Sequence, residues 1–150
     1  MKIALLDDYL KIARDYADWS RLPQDCELTV FNQPIGDEDA VAAALEPFDI
    51  VCLMRERTAM RASLIERLPN LKLIVTTGRR NFSIDIPAAN ERGIVVSGTL
   101  GRHQAPAELA FLHVMALARG LCGEAASMRD GGWQVHLGRE LKDLTLGLLG

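Results

Sequence analysis

An α/β fold built on a parallel sheet is the fold class that this sequence predicts, and three observations support it. Short apolar runs alternate with helical runs through the first 100 residues. The short runs are apolar on both faces, as expected for strands of a sheet that helices cover on both sides. Five such units fit a flavodoxin-like, doubly wound sheet, in which ligands bind beyond the carboxyl ends of the strands.

The predicted strands are short runs of apolar and β-branched residues, bounded by polar or turn-forming residues. In chain order they are Lys2–Asp7, Glu27–Phe31, Ile50–Leu53, Leu73–Thr76, Ile94–Val96 and Leu144–Leu149. Because ligands of doubly wound sheets bind at strand ends, the loops after the first five strands are the candidate binding loops. These loops are Asp7–Asp8, Asn32–Gly36, Met54–Met60, Thr76–Ser83 and Ser97–Gln104.

The predicted helices follow from apolar residues at helical spacing and from residues that favour helix ends. They cover Leu10–Leu22, Asp37–Leu45, Arg61–Leu68, Pro87–Arg92 and Ala105–Leu121. The last of these is apolar on nearly every face, so we expect it to be buried between domains or subunits. The apolar surface of the Ala105–Leu121 helix predicts a homodimer in which this helix forms the interface.

Composition excludes several classes of protein. Of the 150 residues, 49% are hydrophobic and 25% charged, and the formal net charge is −3, which is typical of a globular protein. No basic stripe indicates a nucleic-acid partner, and no apolar run reaches the roughly 18 residues that a membrane span needs. The three cysteines lack metal-ligand spacing, so we expect reduced thiols, no metal and a cytoplasmic location.

Several motifs, in order and at matching spacing, resemble the D-isomer-specific 2-hydroxyacid dehydrogenases. The longest is the loop Thr76–Asp85, with the sequence TTGRRNFSID, after the fourth predicted strand. The other matching segments are Arg55–Thr58, Leu68–Ile74, Ala88–Ala89, Arg92–Val96, Ala107–Leu109, Arg129–Gln134 and Thr145–Gly150. Each motif is weak alone, but together they cover nearly the whole chain.

The resemblance implies two domains. Residues 1–100 would be the first part of a flavodoxin-like substrate domain. Residues 101–150 would be the linking helix and first strand of a truncated Rossmann-type NAD-binding domain. Gly150 then falls on the first glycine of the family's G-x-G-x-x-G fingerprint, and we expect the chain to be the front portion of a longer protein.

The resemblance also implies an activity: the interconversion of a small D-2-hydroxy acid and a 2-oxo acid, with NAD or NADP as cofactor. The residues that match the family's substrate-binding positions are Arg55, Thr77, Gly78, Arg79 and Arg80, and those that match cofactor-binding positions are Pro106 and Gly150. The family's catalytic arginine, glutamate and histidine would lie downstream, since neither His103, His113 nor His136 matches the histidine. We therefore expect the 150 residues alone to be inactive.

Most of these residues also have a purely structural interpretation. Gly78 could simply allow a tight turn with two solvated arginines, whereas the resemblance favours a loop that binds the substrate carboxylate through main-chain N–H groups. Arg55 could border the substrate pocket or pair with an acid on the surface. Arg79 and Arg80 stand where the family usually has smaller residues, and their side chains could add charge to the pocket or point away. For Pro106, a place in the first turn of a helix is a sufficient explanation.

Two other functions compete with the dehydrogenase. A phospho-receiver domain shares the flavodoxin-like fold and would use Asp7 and Asp8 to hold magnesium. It also needs an aspartate at the end of the third strand and a lysine after the fifth, and neither is present at those positions. The other is a dehydrogenase-like protein that acts as a non-catalytic binding or regulatory module.

Overall fold

The computed structural model describes residues 1–101 and 104–149; Arg102, His103 and Gly150 lie outside the described residues. The chain divides into two compact units, Met1–Gly101 and Arg102–Gly150.

The first unit contains a sheet of five parallel strands in the order β2-β1-β3-β4-β5. The strands are β1 (Lys2–Leu5), β2 (Glu27–Val30), β3 (Ile50–Leu53), β4 (Leu73–Thr76) and β5 (Val95–Gly98). This order is that of a flavodoxin-like sheet, so the predicted fold class of the first unit is confirmed. β2 lies on one side of β1, whereas β3, β4 and β5 are added on the other side. In doubly wound sheets, a crevice forms between the carboxyl ends of the two strands where this change of direction occurs, here β1 and β3.

Four α-helices connect the strands: α1 (Ala13–Tyr16), α2 (Glu38–Leu45), α3 (Ala62–Ile65) and α4 (Ile86–Glu91). Aspartates set the starts of two of them, because an aspartate side chain accepts a free N–H of the first turn. The Asp37 carboxylate accepts from the Ala40 N–H at 2.9 Å, and the Asp85 carboxylate accepts from the Ala88 N–H at 3.0 Å.

The core of this unit lies between the strands and the helices that cover them. Its fully buried side chains include Leu6, Leu45, Val51, Leu53, Met60, Leu64, Ile65, Leu68, Ile74 and Ile94. Removing such side chains from water is the main driving force for folding. Since these residues come from both strands and helices, the packed core holds the loops at the strand ends in place.

The first helix is much shorter than predicted. The pattern predicts a helix over Leu10–Leu22, but α1 begins only at Ala13, because the Asp8 carboxylate accepts the N–H groups of Ile12 and Ala13 at 3.1 and 2.9 Å. The indole N–H of Trp19 donates to the Ala13 carbonyl at 2.8 Å. Side chains therefore take over backbone hydrogen bonds that a longer helix would have made.

The second unit contains two helices where the sequence predicts one. Helix α5 covers Gln104–Ala118 and helix α6 covers Leu121–Arg129, and they meet at a bend of 67°. Gly120 between them has a φ of 62°, the left-handed conformation in which helices commonly end. No single helix among the described residues has both the length and the apolar composition to cross a membrane, although α5 and α6 taken together do.

The predicted burial of the long helix is not observed within this chain. None of the residues of α5 is buried, and the Phe111 side chain is 67% exposed.

The sixth predicted strand, Leu144–Leu149, is wrong. These residues have no strand conformation, and their side chains are exposed. An apolar run becomes a strand only when a neighbouring strand satisfies its backbone hydrogen bonds. All five strands lie in the first unit, and no described residue of the second unit supplies such a neighbour.

Candidate functional site

The loop after β4 makes a tight turn at Gly78, at the carboxyl end of the sheet. Gly78 has a φ of 93°, which L-residues rarely adopt. Its N–H donates to the Thr99 hydroxyl at 3.0 Å, and its carbonyl accepts the Thr99 N–H at 2.9 Å. The turn is therefore fastened to the residue that follows β5.

The turn also passes very close to the last residue of β5. A Cβ atom built on Gly98 would lie 2.8 Å from the Gly78 carbonyl oxygen and 2.9 Å from the Arg79 carbonyl oxygen. Both distances are shorter than a van der Waals contact, so only glycine fits here. Gly98 lies in the candidate loop Ser97–Gln104, but its role could not be predicted, because a close approach between two segments leaves no local pattern in the sequence.

Several backbone N–H groups of this loop have no acceptor among the described residues, and those of Arg79 and Arg80 are two that adjoin the Gly78 turn. Within residues 1–101 and 104–149, the N–H groups of Arg79 and Arg80 donate to no protein acceptor, and both residues are exposed. By contrast, the Thr77 N–H donates to the Leu53 carbonyl at 3.2 Å. Of the predicted binding residues, Thr77 and Gly78 therefore shape the turn, whereas Arg79 and Arg80 have free donors. Adjacent free N–H groups are a common way to bind an anion.

Arg55, in the loop that follows β3, lies beside the same turn. One terminal nitrogen of its guanidinium, Nη1, would lie 3.5 Å from a Cβ on Gly78. In the part of the chain that the structure describes, Arg55 forms no ion pair with Glu56 or Asp85. Its positive charge is thus placed next to the turn, where it can add to the attraction for an anion.

Arg55 has an unusual backbone, which the neighbouring loops hold. Its φ is 57°, in the left-handed region that non-glycine residues seldom occupy. Its N–H donates to the Thr77 hydroxyl at 2.9 Å, and its carbonyl accepts from the Asn81 side chain at 2.7 Å. Asn81 is therefore a residue of the site that the sequence pattern did not indicate.

A second cluster ties the loop after β1 to the loop after β3. Asp7 is 3% exposed and has a φ of 61°. Its carboxylate accepts the hydroxyls of Tyr9 at 2.8 Å and Thr58 at 2.7 Å. Arg57 donates to the Asp7 carbonyl at 2.7 Å and lies over the Tyr9 ring, 4.5 Å from its centre. The hydrogen bond to Asp7 is the largest cause of a raised Tyr9 pKa.

This cluster argues against the receiver interpretation. Both Asp7 oxygens already accept protein hydroxyls, and both Asp8 oxygens already accept N–H groups at the start of α1. A magnesium ion would need these oxygens as ligands. Among the described residues, moreover, no three His, Cys, Asp or Glu side chains are grouped as metal ligands would be.

Several cavities lie at the strand ends, and one of about 240 Å³ is lined by the loops after β1, β2 and β3, including Asp7, Gly36 and Arg57. Two others adjoin the Gly78 turn or the start of α1. One, of about 440 Å³, is lined by Arg79, Arg80, Phe82 and residues of β4, α4 and β5. The other, of about 270 Å³, is mainly apolar and lies between α1 and the ends of β1 and β3, with Trp19 and Cys52 in its lining. Burial raises the pKa of the Cys52 thiol to about 11, so this thiol stays protonated and unreactive near neutral pH.

The two residues predicted to bind the cofactor are Pro106 and Gly150. Pro106 lies in the first turn of α5 and is exposed, which agrees with its structural interpretation as a helix-start proline. Gly150 lies outside the described residues.

Comparison with known proteins gives matches over most of the chain. Residues 3–130 match the family D-isomer specific 2-hydroxyacid dehydrogenase, catalytic domain. A hydroxypyruvate reductase from Thermotoga maritima is 34% identical over 128 residues, which is 83% of this chain and 41% of that protein. The human D-3-phosphoglycerate dehydrogenase is 31% identical over 133 residues, which is 87% of this chain and 25% of that protein.

A solved structure gives the same result. The crystal structure of a phosphoglycerate oxidoreductase from Vibrio cholerae O395 superposes with a TM-score of 0.82 and 39% identity, over 94% of this chain and 46% of that one. The chain thus spans less than half the length of each of these relatives. Because the family match covers both the sheet and the Gly78 turn, the chain belongs to the D-isomer specific 2-hydroxyacid dehydrogenase family.

Proposed function

We propose that this protein works as an NAD(P)-dependent oxidoreductase that interconverts a small D-2-hydroxy acid and the corresponding 2-oxo acid. Family membership supports the type of reaction. Since the chain spans less than half the length of the relatives named above, the activity is proposed for a protein of their full length.

The role proposed for residues 1–101 is to hold the carboxylate of the substrate. The observation that carries this proposal is that the Gly78 turn combines the free N–H groups of Arg79 and Arg80, which directly follow Gly78, with the Arg55 guanidinium beside Gly78. Adjacent amide donors and a nearby positive charge suit the two oxygens of a carboxylate, and charge-assisted hydrogen bonds are the stronger kind. Holding the acid group orients the neighbouring carbon, where the reaction takes place.

NAD or NADP, when bound, would supply or accept the hydride. Among the described residues, Pro106 is the candidate for contact with it, and its exposed position leaves that contact open. The described residues form no pyrophosphate-binding turn after a strand. We also propose a homodimer, because Phe111 and the other apolar side chains of α5 are exposed in the single chain.

The carboxylate site can be tested in the 150-residue chain by NMR titration with oxamate, an unreactive analogue of a 2-oxo acid. We expect the amide resonances of Arg79 and Arg80 to shift on binding. Gly78→Ala should weaken binding about tenfold, because an L-residue with positive φ costs about 1–2 kcal/mol and the turn will relax.

Gly93→Ala is the matched control. Gly93 also has a positive φ, of 68°, and a Cβ there would meet nothing within 4 Å. The backbone penalty is therefore similar, but Gly93 contributes nothing to the turn, so oxamate affinity should not change. If the wild-type amides of Arg79 and Arg80 do not shift, or if both variants weaken binding equally, the proposed site is wrong.

A further inference from the structure

We propose that Asn81 is a positioning residue: it holds Arg55 in its left-handed conformation and so keeps the Arg55 guanidinium beside the Gly78 turn. The inference rests on the proposed function for its consequence in substrate binding, but its structural part stands on the contacts alone.

The Asn81 side chain uses all of its hydrogen-bonding capacity. Its amide nitrogen donates to the Arg55 carbonyl at 2.7 Å and to the Thr76 hydroxyl at 2.9 Å. Its amide oxygen accepts the N–H of Ser83 at 2.9 Å and the Ser83 hydroxyl at 2.6 Å. An asparagine can make four such bonds at most, so this side chain joins three segments of the site.

The orientation of the Asn81 amide is determined by its partners. The Ser83 N–H can only donate, and the Arg55 carbonyl can only accept. Turning the amide over would place two donors together at Ser83 and two acceptors together at Arg55. At 9% exposure, Asn81 has little water with which to compensate such a mismatch.

The arrangement matters because Arg55 would not keep its backbone conformation unaided. A left-handed φ is unfavourable for arginine, and such residues persist only where surrounding contacts hold them. Two bonds to Arg55 do so here, from its N–H to Thr77 and from Asn81 to its carbonyl. If Arg55 relaxed to a negative φ, its side chain would leave the Gly78 turn.

The variants Asn81→Ala and Asn81→Asp test this role in the full 150-residue chain. Asn81→Ala removes all four bonds. Asn81→Asp keeps the acceptor for Ser83 but loses the donor to Arg55, so it still reports on Arg55 if the alanine variant fails to fold. Both should speed amide hydrogen exchange at Arg55 about tenfold relative to Val51 in the core strand β3, which reports on global unfolding.

Two control variants test whether the effect is specific to Asn81. One removes an asparagine side chain elsewhere in the fold, and the other removes the hydroxyl of Ser83. The Asn70 side chain also donates to a backbone carbonyl, that of Glu46 at 2.9 Å, away from the site. Asn70→Ala should leave the ratio of exchange rates between Arg55 and Val51 unchanged. Ser83→Ala removes only the hydroxyl donor to Asn81 and should also leave that ratio unchanged.

Oxamate titration of the same variants completes the test. We expect both Asn81 variants to lose about tenfold in affinity, and Asn70→Ala and Ser83→Ala to keep the wild-type affinity. An unchanged ratio of exchange at Arg55 and Val51 in these variants would overturn the inference. Faster exchange with undiminished oxamate affinity would overturn it as well, while leaving the proposed carboxylate site intact. Faster exchange in a chain whose wild type binds no oxamate would support the hold on Arg55 and overturn the proposed function instead.

Discussion

Replacing Gly98, the last residue of β5, with alanine should displace the Gly78 turn and so weaken ligand binding at the candidate site. The added Cβ would lie 2.8 Å from the Gly78 carbonyl oxygen and 2.9 Å from that of Arg79. Even close contacts between carbon and oxygen atoms are about 3.3 Å long, so the turn has to move by several tenths of an ångström. Both atoms belong to the backbone and cannot rotate away as a flexible side chain could.

The expected cost follows from this overlap. Forcing an extra methyl group into a closely packed site usually costs about 1–3 kcal/mol. For a unit of about 100 residues, each kcal/mol lowers the Tm by roughly 4–8 °C. Oxamate affinity should fall as well, because the displaced segment carries the free N–H groups of Arg79 and Arg80.

Calorimetry and NMR titration of the 150-residue chain would measure the two effects of Gly98→Ala. Gly147→Ala is the matched control, because a Cβ on Gly147 meets nothing within 4 Å and its φ is not positive. It should change neither Tm nor affinity. If Gly98→Ala also left the Tm and the amide shifts of the turn unchanged, the reasoning from close approach would be refuted.

Three further predictions concern other parts of the chain. Burial raises the pKa of Cys52 to about 11, so iodoacetamide at pH 8 should label exposed Cys122 much faster than Cys52, as peptide mass spectrometry would show. Hydrogen bonds, that from Lys72 foremost, lower the pKa of Asp49 in the folded state. The Asp49 carboxylate therefore stabilises the fold at pH values above its unfolded pKa of about 4, and this contribution is lost as the pH falls through its folded pKa. In urea titrations, the free energy of unfolding of Asp49→Asn should fall less steeply than that of the wild type as the pH is lowered. Finally, Phe111→Glu should weaken self-association in light scattering, whereas a wild type that is monomeric at micromolar concentration would contradict the proposed dimer.

The strands that the sequence predicts best are β3 and β4, which are neighbours inside the sheet. The observed bounds of β3 and β4 are those predicted, because these runs are apolar on both faces and each begins directly after a charged residue, Asp49 or Lys72. At the sheet edge, β5 extends to Gly98 since pairing with Thr76 continues that far. A glycine at the end of an apolar run gives no indication of such pairing.

In the candidate site, too, features set by neighbouring residues could be predicted from the sequence, whereas contacts between distant residues could not. A tight turn at Gly78 could be predicted, because the glycine directly follows an apolar strand. The roles of Asp7 and Asn81 could not, since their partners Thr58 and Arg55 are far away in the chain. Neither spacing nor composition reports such contacts, which exist only once the strands have been placed side by side.

The all-parallel sheet has a consequence for how the protein folds. No strand can pair with the next through a hairpin: β1 and β3 align Ile3 with Ile50, and β4 and β5 align Leu73 with Val95. Closing such long loops costs entropy before any contact compensates it, so sheets of this kind form slowly compared with helical bundles. The Gly78 turn needs β3, β4 and β5 together, so in stopped-flow refolding the capacity to bind a carboxylate should return later than the helical circular dichroism. Anion binding would then distinguish the finished sheet from a merely collapsed chain.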